Sequence, residues 1–231
     1  MIAAASWSEA WRERLYVPAY RIGEAAHYAR MAPQTVTAWH RMGAKQTLSS
    51  REGHAALSYL QLIEVAVVAA ARNAGVSLRN IRLAREYMSR EFGSKFPFAE
   101  HRFKTDGRNL FMEVDSAEAS EPAGRVIRPD RGGQLAWSVI IGRLEEFDYD
   151  DIVLRWFVAG RNSPIVIDPR VAFGKPTLKG TPTWILRGRA SEGESIADIA
   201  DDFGLTEKEV RAAVQFEDYT RTLAKPKKWA H

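Results

Sequence analysis

The sequence predicts a mainly α-helical protein with a small β-rich middle and a helix-turn-helix at each end. Three observations predict it. Residues 20–43 hold two short apolar-faced helical stretches split by a turn. Late in the chain, Ser195 with Asp198 and Thr206 with Glu209 form two capping-box patterns, each opening an amphipathic stretch. Between them, from Asn109, the hydrophobic period shifts to two.

Residues 1–17 read as a mobile arm with a short amphipathic piece at Trp7, Trp11 and Leu15, broken by Pro18. Ile22, Ala25, Ala26 and Ala29 then repeat at helical spacing. The paired alanines are small enough for a second helix to cross closely. Arg30 to Ala32 make the turn, and Pro33 takes the first helical position, where its missing N–H costs nothing. Val36 and Trp39 point inward. Gln34, Thr35, Thr37, His40 and Arg41 are left on the outer side, hydrogen-bonding types suited to base edges and phosphates in a major groove. Gly43 is expected to end the helix, and Lys45 to Ser50 to form a short wing in which Lys45 joins the DNA-facing set.

Leu57 starts a helix, apolar nearly all round, that runs to Asn73 and is expected to be buried on several sides. Gly75 stops it. Ser77 caps a further helix to Phe92, with Ile81, Ala84 and Met88 inward and Arg79, Arg82, Arg85 and Arg90 largely outward. Gly93 closes it. Residues 97–105 read as linker. Alternation at Leu110, Met112 and Val114, a hairpin around Arg131 to Gly133, and a strand at Ile152 to Val158 make up the β-rich segment. The carboxylates between Glu145 and Asp151 read as a solvated loop rather than a metal site, because contiguous carboxylates rarely converge. In the last module, Ile196, Ile199, Ala200 and Phe203 form one stripe. Val210, Ala213 and Val214 form the other, with Gly204 and Leu205 as the joint. Domain boundaries follow: 1–104, 105–160 and 161–231.

Composition narrows the function. There is no cysteine, which excludes disulfides and thiolate metal sites and fits a reducing cytoplasm. No apolar run is long enough for a membrane span and no secretory signal is visible. Residues 1–104 carry 15 Lys or Arg against 8 Asp or Glu, whereas residues 105–231 carry 18 against 21. The basic half is the one with the first helix-turn-helix, so a polyanion partner belongs there. The five histidines have no metal-ligand spacing, and neither a nucleophile elbow nor a phosphate loop is present. An enzyme is therefore not expected, nor is any cofactor.

Two resemblances sharpen this. The phrase Tyr20-x-Ile-Gly-Glu-Ala-Ala26 with Thr35-Val-x-x-Trp39, and later Gly75-Val-Ser-Leu-Arg-Asn-Ile-Arg82, resemble the MerR-like winged helix-turn-helix. The family usually has Arg where this chain has Thr37. The resemblance implies operator DNA and adds Arg79 and Arg82 as phosphate contacts. Ile167-Asp-Pro169, Gly174-Lys-Pro-x-x-x-Gly-Thr181 and Gly193-Glu-Ser-Ile-Ala-Asp-Ile-Ala-Asp-Asp-Phe-Gly-Leu-Thr206 resemble a prokaryotic antitoxin domain long catalogued as being of unknown function. That domain implies a homeodomain-like helix-turn-helix. Pro182 stands where that family usually has Arg, and Phe173 where it often has a second glycine. The order of head and tail resembles VapB-type antitoxins, which implies a PIN or PIN-like ribonuclease toxin as partner. Arg187, Arg189, Arg221, Lys225, Lys227, Lys228 and Trp229 are then the candidates for entering or flanking its carboxylate pocket. A homodimer on a palindromic operator is expected. The alternative is a stand-alone MerR-like transcriptional regulator.

Overall fold

The computed structural model describes residues 10–41, 47–48, 56–73, 75–100, 146–149 and 153–224. The expected wing residue Lys45, the alternation at 110–114, the hairpin near 131 and the tail from Lys225 lie outside the described residues. The chain divides into two compact units, Arg12–Val153 and Leu154–His231 with Met1–Trp11.

Up to Glu100 the first unit is mainly helical where described. After α1 (Ala10–Arg14), Leu15 is 1% exposed and its carbonyl accepts from the Leu60 amide at 3.3 Å. Tyr16 lies 6.0 Å from the Phe96 ring. The expected arm is thus anchored at Leu15, a large aliphatic side chain that enters the core, while Tyr16 and Val17 stay exposed. Helices α2 (Ile22–Tyr28) and α3 (Pro33–Trp39) follow, packed on each other across a short turn. A bridge between Tyr20 and Leu57 joins the strand-like entry of α2 to that of α4 (Tyr59–Asn73).

Helix α4 is buried from Tyr59 to Ala71 without a break, as its all-round apolar sequence predicts. A reciprocal cap opens it: the Ser58 amide donates to Gln61 Oε1 at 2.9 Å, and the Gln61 amide donates to Ser58 Oγ at 3.3 Å. Gly75 takes φ +89, a left-handed conformation that glycine adopts without a Cβ penalty. Helix α5 (Leu78–Phe92) follows, with Ile81 and Ala84 buried. The expected linker then departs from the prediction. Pro97–Ala99 is a 3-10 turn with Phe96, Phe98 and Ala99 buried, and it packs on α4 and α5. Two phenylalanines so close together carry too much apolar surface to be left in solvent.

The strands are β1 (Phe147–Tyr149), β2 (Val153–Trp156), β3 (Ile165–Ile167), β4 (Pro176–Leu178) and β5 (Thr181–Pro182). Strands β2 to β5 follow chain order as an antiparallel sheet. Strand β1 corrects the solvated-loop expectation for this stretch. Phe147 is buried, and an apolar pair two residues apart favours extended pairing despite the carboxylates around it. In the second unit Trp156 pairs with Ile167, Ile167 with Pro176, and Leu178 with Thr181, all antiparallel.

Three helices complete that unit: α6 (Thr183–Ser191), α7 (Ile196–Asp202) and α8 (Glu207–Ala224). Both predicted caps form. The Asp198 amide donates to Ser195 Oγ at 3.1 Å. The Thr206 amide donates to Glu209 Oε2 at 2.8 Å, and the Glu209 amide donates to Thr206 Oγ1 at 3.3 Å. Gly204 makes the joint at φ +61. Ile165, Ile167, Leu178, Leu186, Ile199, Val210 and Ala213 are the core, each at most 1% exposed.

Candidate nucleic-acid and partner interfaces

In the first unit, α2 opens with the Arg21 amide donating to Glu24 Oε2 at 2.8 Å. Ala25 and Ala26 are fully buried, so the next helix can approach closely. The turn is made by Arg30 at φ 55, with the Met31 amide on the Ala26 carbonyl at 2.7 Å. On α3, Val36 and Trp39 are buried as expected. Gln34 is exposed, Thr35 and Thr37 are half-buried, and Arg41 just beyond the helix is exposed. Thr37 Oγ1 donates to the Pro33 carbonyl at 2.9 Å, a back-bond that occupies its one proton.

His40 is a correction. It was expected on the outer side with Arg41 and is only 4% exposed. The helix ends before Gly43 for an identifiable reason. The Trp39 carbonyl accepts from the amides of Thr47 and Leu48, at 3.1 and 2.9 Å, in place of a further helical turn. His40 is the C-cap, at φ −92 and ψ 0, so its side chain leaves the helical face.

The arginines of α5 are also divided. Arg79 and Arg90 are exposed, and Arg90 lies 3.8 Å from Glu86 one turn back. Arg82 Nε instead donates to Thr47 Oγ1 at 3.2 Å, on the segment that closes α3. Arg85 Nε lies 3.4 Å from Glu64 Oε1, whose side chain is wholly buried in α4, and its Nη2 donates to the Lys95 carbonyl at 2.9 Å. Arg82 and Arg85 thus address oxygens elsewhere in the unit, and Arg90 one on its own helix. Sequence reasoning missed Glu64. A carboxylate inside an otherwise apolar helix was the signal, since such a charge is buried only with a partner. Burial lowers the His27 imidazole to about 4, with Glu24 opposing that shift and Arg30 adding to it.

In the second unit, the expected partner-facing arginines are engaged internally. Arg187 Nε donates to Asp218 Oδ1 at 3.1 Å. Arg189 Nε donates to Glu194 Oε2 at 2.6 Å and Nη2 to Asp202 Oδ2 at 2.5 Å, and these hydrogen bonds stabilise its charged form. Thr183 Oγ1 donates to Glu217 Oε1 at 2.5 Å, and Lys179 Nζ lies 2.9 Å from Glu209 Oε1. These links tie α6 to α7 and α8. Arg221 lies within α8, so the expected tail begins as helix. Lys225, Lys227, Lys228 and Trp229 lie outside the described residues. Sequence reasoning also missed the exposed Phe173 and Trp184, at 75% and 59% exposure.

A family model described as "Protein of unknown function (DUF433)" matches residues 165–216. That span runs from β3 into α8, so it takes in the strand hairpin, both capped helices and the exposed aromatics. The chain is also 24% identical to "Putative antitoxin VapB45" of Mycobacterium tuberculosis (strain ATCC 25618 / H37Rv), with 87% of this chain and 94% of the relative covered. The fold is similar to that in the X-ray crystal structure of Rv2018 from Mycobacterium tuberculosis. The TM-score is 0.71 at 20% identity, over 87% of this chain and 99% of that one. Among the described residues no helix is long and apolar enough to cross a membrane.

Proposed function

We propose that this protein is the antitoxin of a toxin–antitoxin pair, with operator DNA held by the first unit and a PIN-type ribonuclease toxin held by the second. The observation that carries the reading is the near full-length similarity to the VapB45 relative, 87% of one chain against 94% of the other. A shared helix-turn-helix alone would not span that length.

The first unit supports the DNA role. Gln34 and Thr35 stand on α3, and Arg41 and Arg79 are exposed within a part of the chain that carries net positive charge. Arg side chains and short polar ones suit phosphate and base edges. The second unit supports a protein-binding role. Its cations on α6 are spent on α7 and α8 carboxylates, an arrangement that suits phosphate poorly. A two-fold dimer on a palindromic operator completes the reading.

The test is tagged purification of the full chain expressed with its adjacent reading frames, with mass spectrometry of what co-elutes. A small nuclease that is toxic alone and silent in the complex is the expected partner. Elution of the chain by itself, together with tight operator binding, would favour a stand-alone regulator instead.

A further inference from the structure

Helix α3 is short, and its far end is held from outside its own sequence. It spans Pro33–Trp39, about two turns, a length that is not stable without tertiary support. The carbonyls of a helix's last turn also lack partners within the helix. Here the Trp39 carbonyl is supplied by the amides of Thr47 and Leu48, at 3.1 and 2.9 Å. Trp39, Thr47 and Leu48 are all buried.

This closing pair is in turn held by α5. Arg82 Nε donates to Thr47 Oγ1 at 3.2 Å, across 35 positions of sequence. The helix that carries Arg82 is itself fixed. Ile81 and Ala84 beside it enter the core, and Arg85 Nε lies 3.4 Å from the wholly buried Glu64 carboxylate of α4. Arg82 is half-buried on that support, so its Nε is a fixed donor rather than a mobile surface cation.

The end of α3 carries part of the face assigned above to DNA. Arg41 stands two residues past Trp39 and is exposed, with its amide on the Ala38 carbonyl at 3.3 Å. Gln34 and Thr35 stand on α3 itself. Hydrogen bonds to base edges are lost when the reading helix moves by about half an ångström. Attraction to phosphates tolerates such a shift. A group that only holds α3 in place therefore governs the choice of sequence more than the affinity for DNA in general.

We propose that Arg82 is a positioning residue for operator recognition. Its Nε holds Thr47, Thr47 holds the Trp39 carbonyl, and the far end of α3 with Arg41 is thereby set for reading sequence. This rests on the operator-binding reading of the first unit, and it gives Arg82 a different task from the phosphate contact that the resemblance implied.

The experiment uses the full chain and two duplexes, the DNA upstream of its own reading frame and an unrelated sequence of equal length. Affinity is measured over a range of salt for wild type, Arg82→Met, Arg82→Gln, Thr47→Val, Thr47→Ser and the double variant Arg82→Met with Thr47→Val. Arg82→Met removes the donor and Thr47→Val the acceptor, and each is expected to bind the upstream duplex about tenfold more weakly. Affinity for the unrelated duplex and the salt slope should stay as in wild type. Arg82→Gln removes the charge but puts an amide N–H where Nε stood, and Thr47→Ser keeps the hydroxyl, so both should retain wild-type affinity. The double variant should be no weaker than either single one, because both break the same link. A slope shallower by about 0.9 in both Arg82 variants overturns the proposal in favour of a phosphate contact. Equal losses on the two duplexes, with a lower thermal midpoint, overturn it in favour of general support of the fold. Losses that multiply in the double variant, or wild-type affinity in Arg82→Met, also overturn it. If wild type itself does not prefer the upstream duplex, the operator reading falls and the proposal with it.

Discussion

Arg85 and Glu64 make a sharp test of how the first unit is held together. Glu64 is wholly buried and its Oε1 lies 3.4 Å from Arg85 Nε, which is 19% exposed. At an effective dielectric of about 20, that separation gives roughly 5 kcal/mol of gross attraction. Arg85→Met keeps most of the aliphatic stem, removes the charge, and takes the guanidinium away from the buried carboxylate in α4. Breaking a buried pair from one side costs about 3–5 kcal/mol. Water reaches Arg85, so the low end, about 3 kcal/mol, is expected. The assay is urea unfolding followed by circular dichroism. With an m-value of about 1–3 kcal/mol/M, the midpoint of the first unit should fall by roughly 1–3 M. Adding Glu64→Gln removes the buried charge and should restore more than half of the loss. The Lys95 carbonyl would still lack its donor, so recovery should be incomplete. A double variant no more stable than Arg85→Met would refute the reasoning, because the cost would then lie in packing rather than in charge.

Arg82→Ala is expected to weaken operator binding without changing its salt dependence, since its guanidinium serves Thr47. Arg41→Ala should flatten the log K against log salt slope by about 0.9, and salt titrations of both variants separate the two roles. For His27, burial lowers the imidazole from 6.5 to about 4, so the unfolded chain takes up the proton first as pH falls. Stability of the first unit should therefore decline between pH 6.5 and about 4, by about 3 kcal/mol at most. His27→Gln should remove that slope in pH-dependent unfolding. In the second unit, the Thr206 amide and Lys179 lower the Glu209 carboxyl below its ordinary 4.5. Its contribution is present above that value and lost as pH falls through the lowered one, so wild type and Glu209→Gln should converge in stability only in acid.

Legibility in the sequence followed how local the controlling physics is. The Ser195 and Thr206 caps were readable because the interacting groups lie three residues apart. So was α4, whose apolar run leaves no polar face. The Ser58–Gln61 cap has the same three-residue spacing, and it starts α4 after Leu57 rather than at it. Helix α6 was hidden because Pro182, β-branched Thr183 and the internal Gly188 argue locally against a helix. The Thr183 bonds to the Pro176 carbonyl and to Glu217 supply what propensity lacks. His40 was misplaced for a related reason. The end of α3 is set by Thr47 and Leu48, seven or more residues away, and no periodicity within the helix reports that. The pairings of Arg187 and Arg189 are tertiary too, so an arginine in the sequence looked available when the fold had already placed a carboxylate beside it. At Phe173 the residue argues against its own conformation, and only the backbone dihedral, φ 53, reveals it.

The central claim is that this chain silences a ribonuclease, and the most direct measurement is a titration. The purified nuclease encoded beside the gene is incubated with an RNA substrate and increasing amounts of the full chain. The account predicts that cleavage falls linearly to background at a fixed stoichiometric ratio, with the inhibited complex surviving gel filtration. Undiminished cleavage at a large excess of the chain, with no complex on the column, would contradict it.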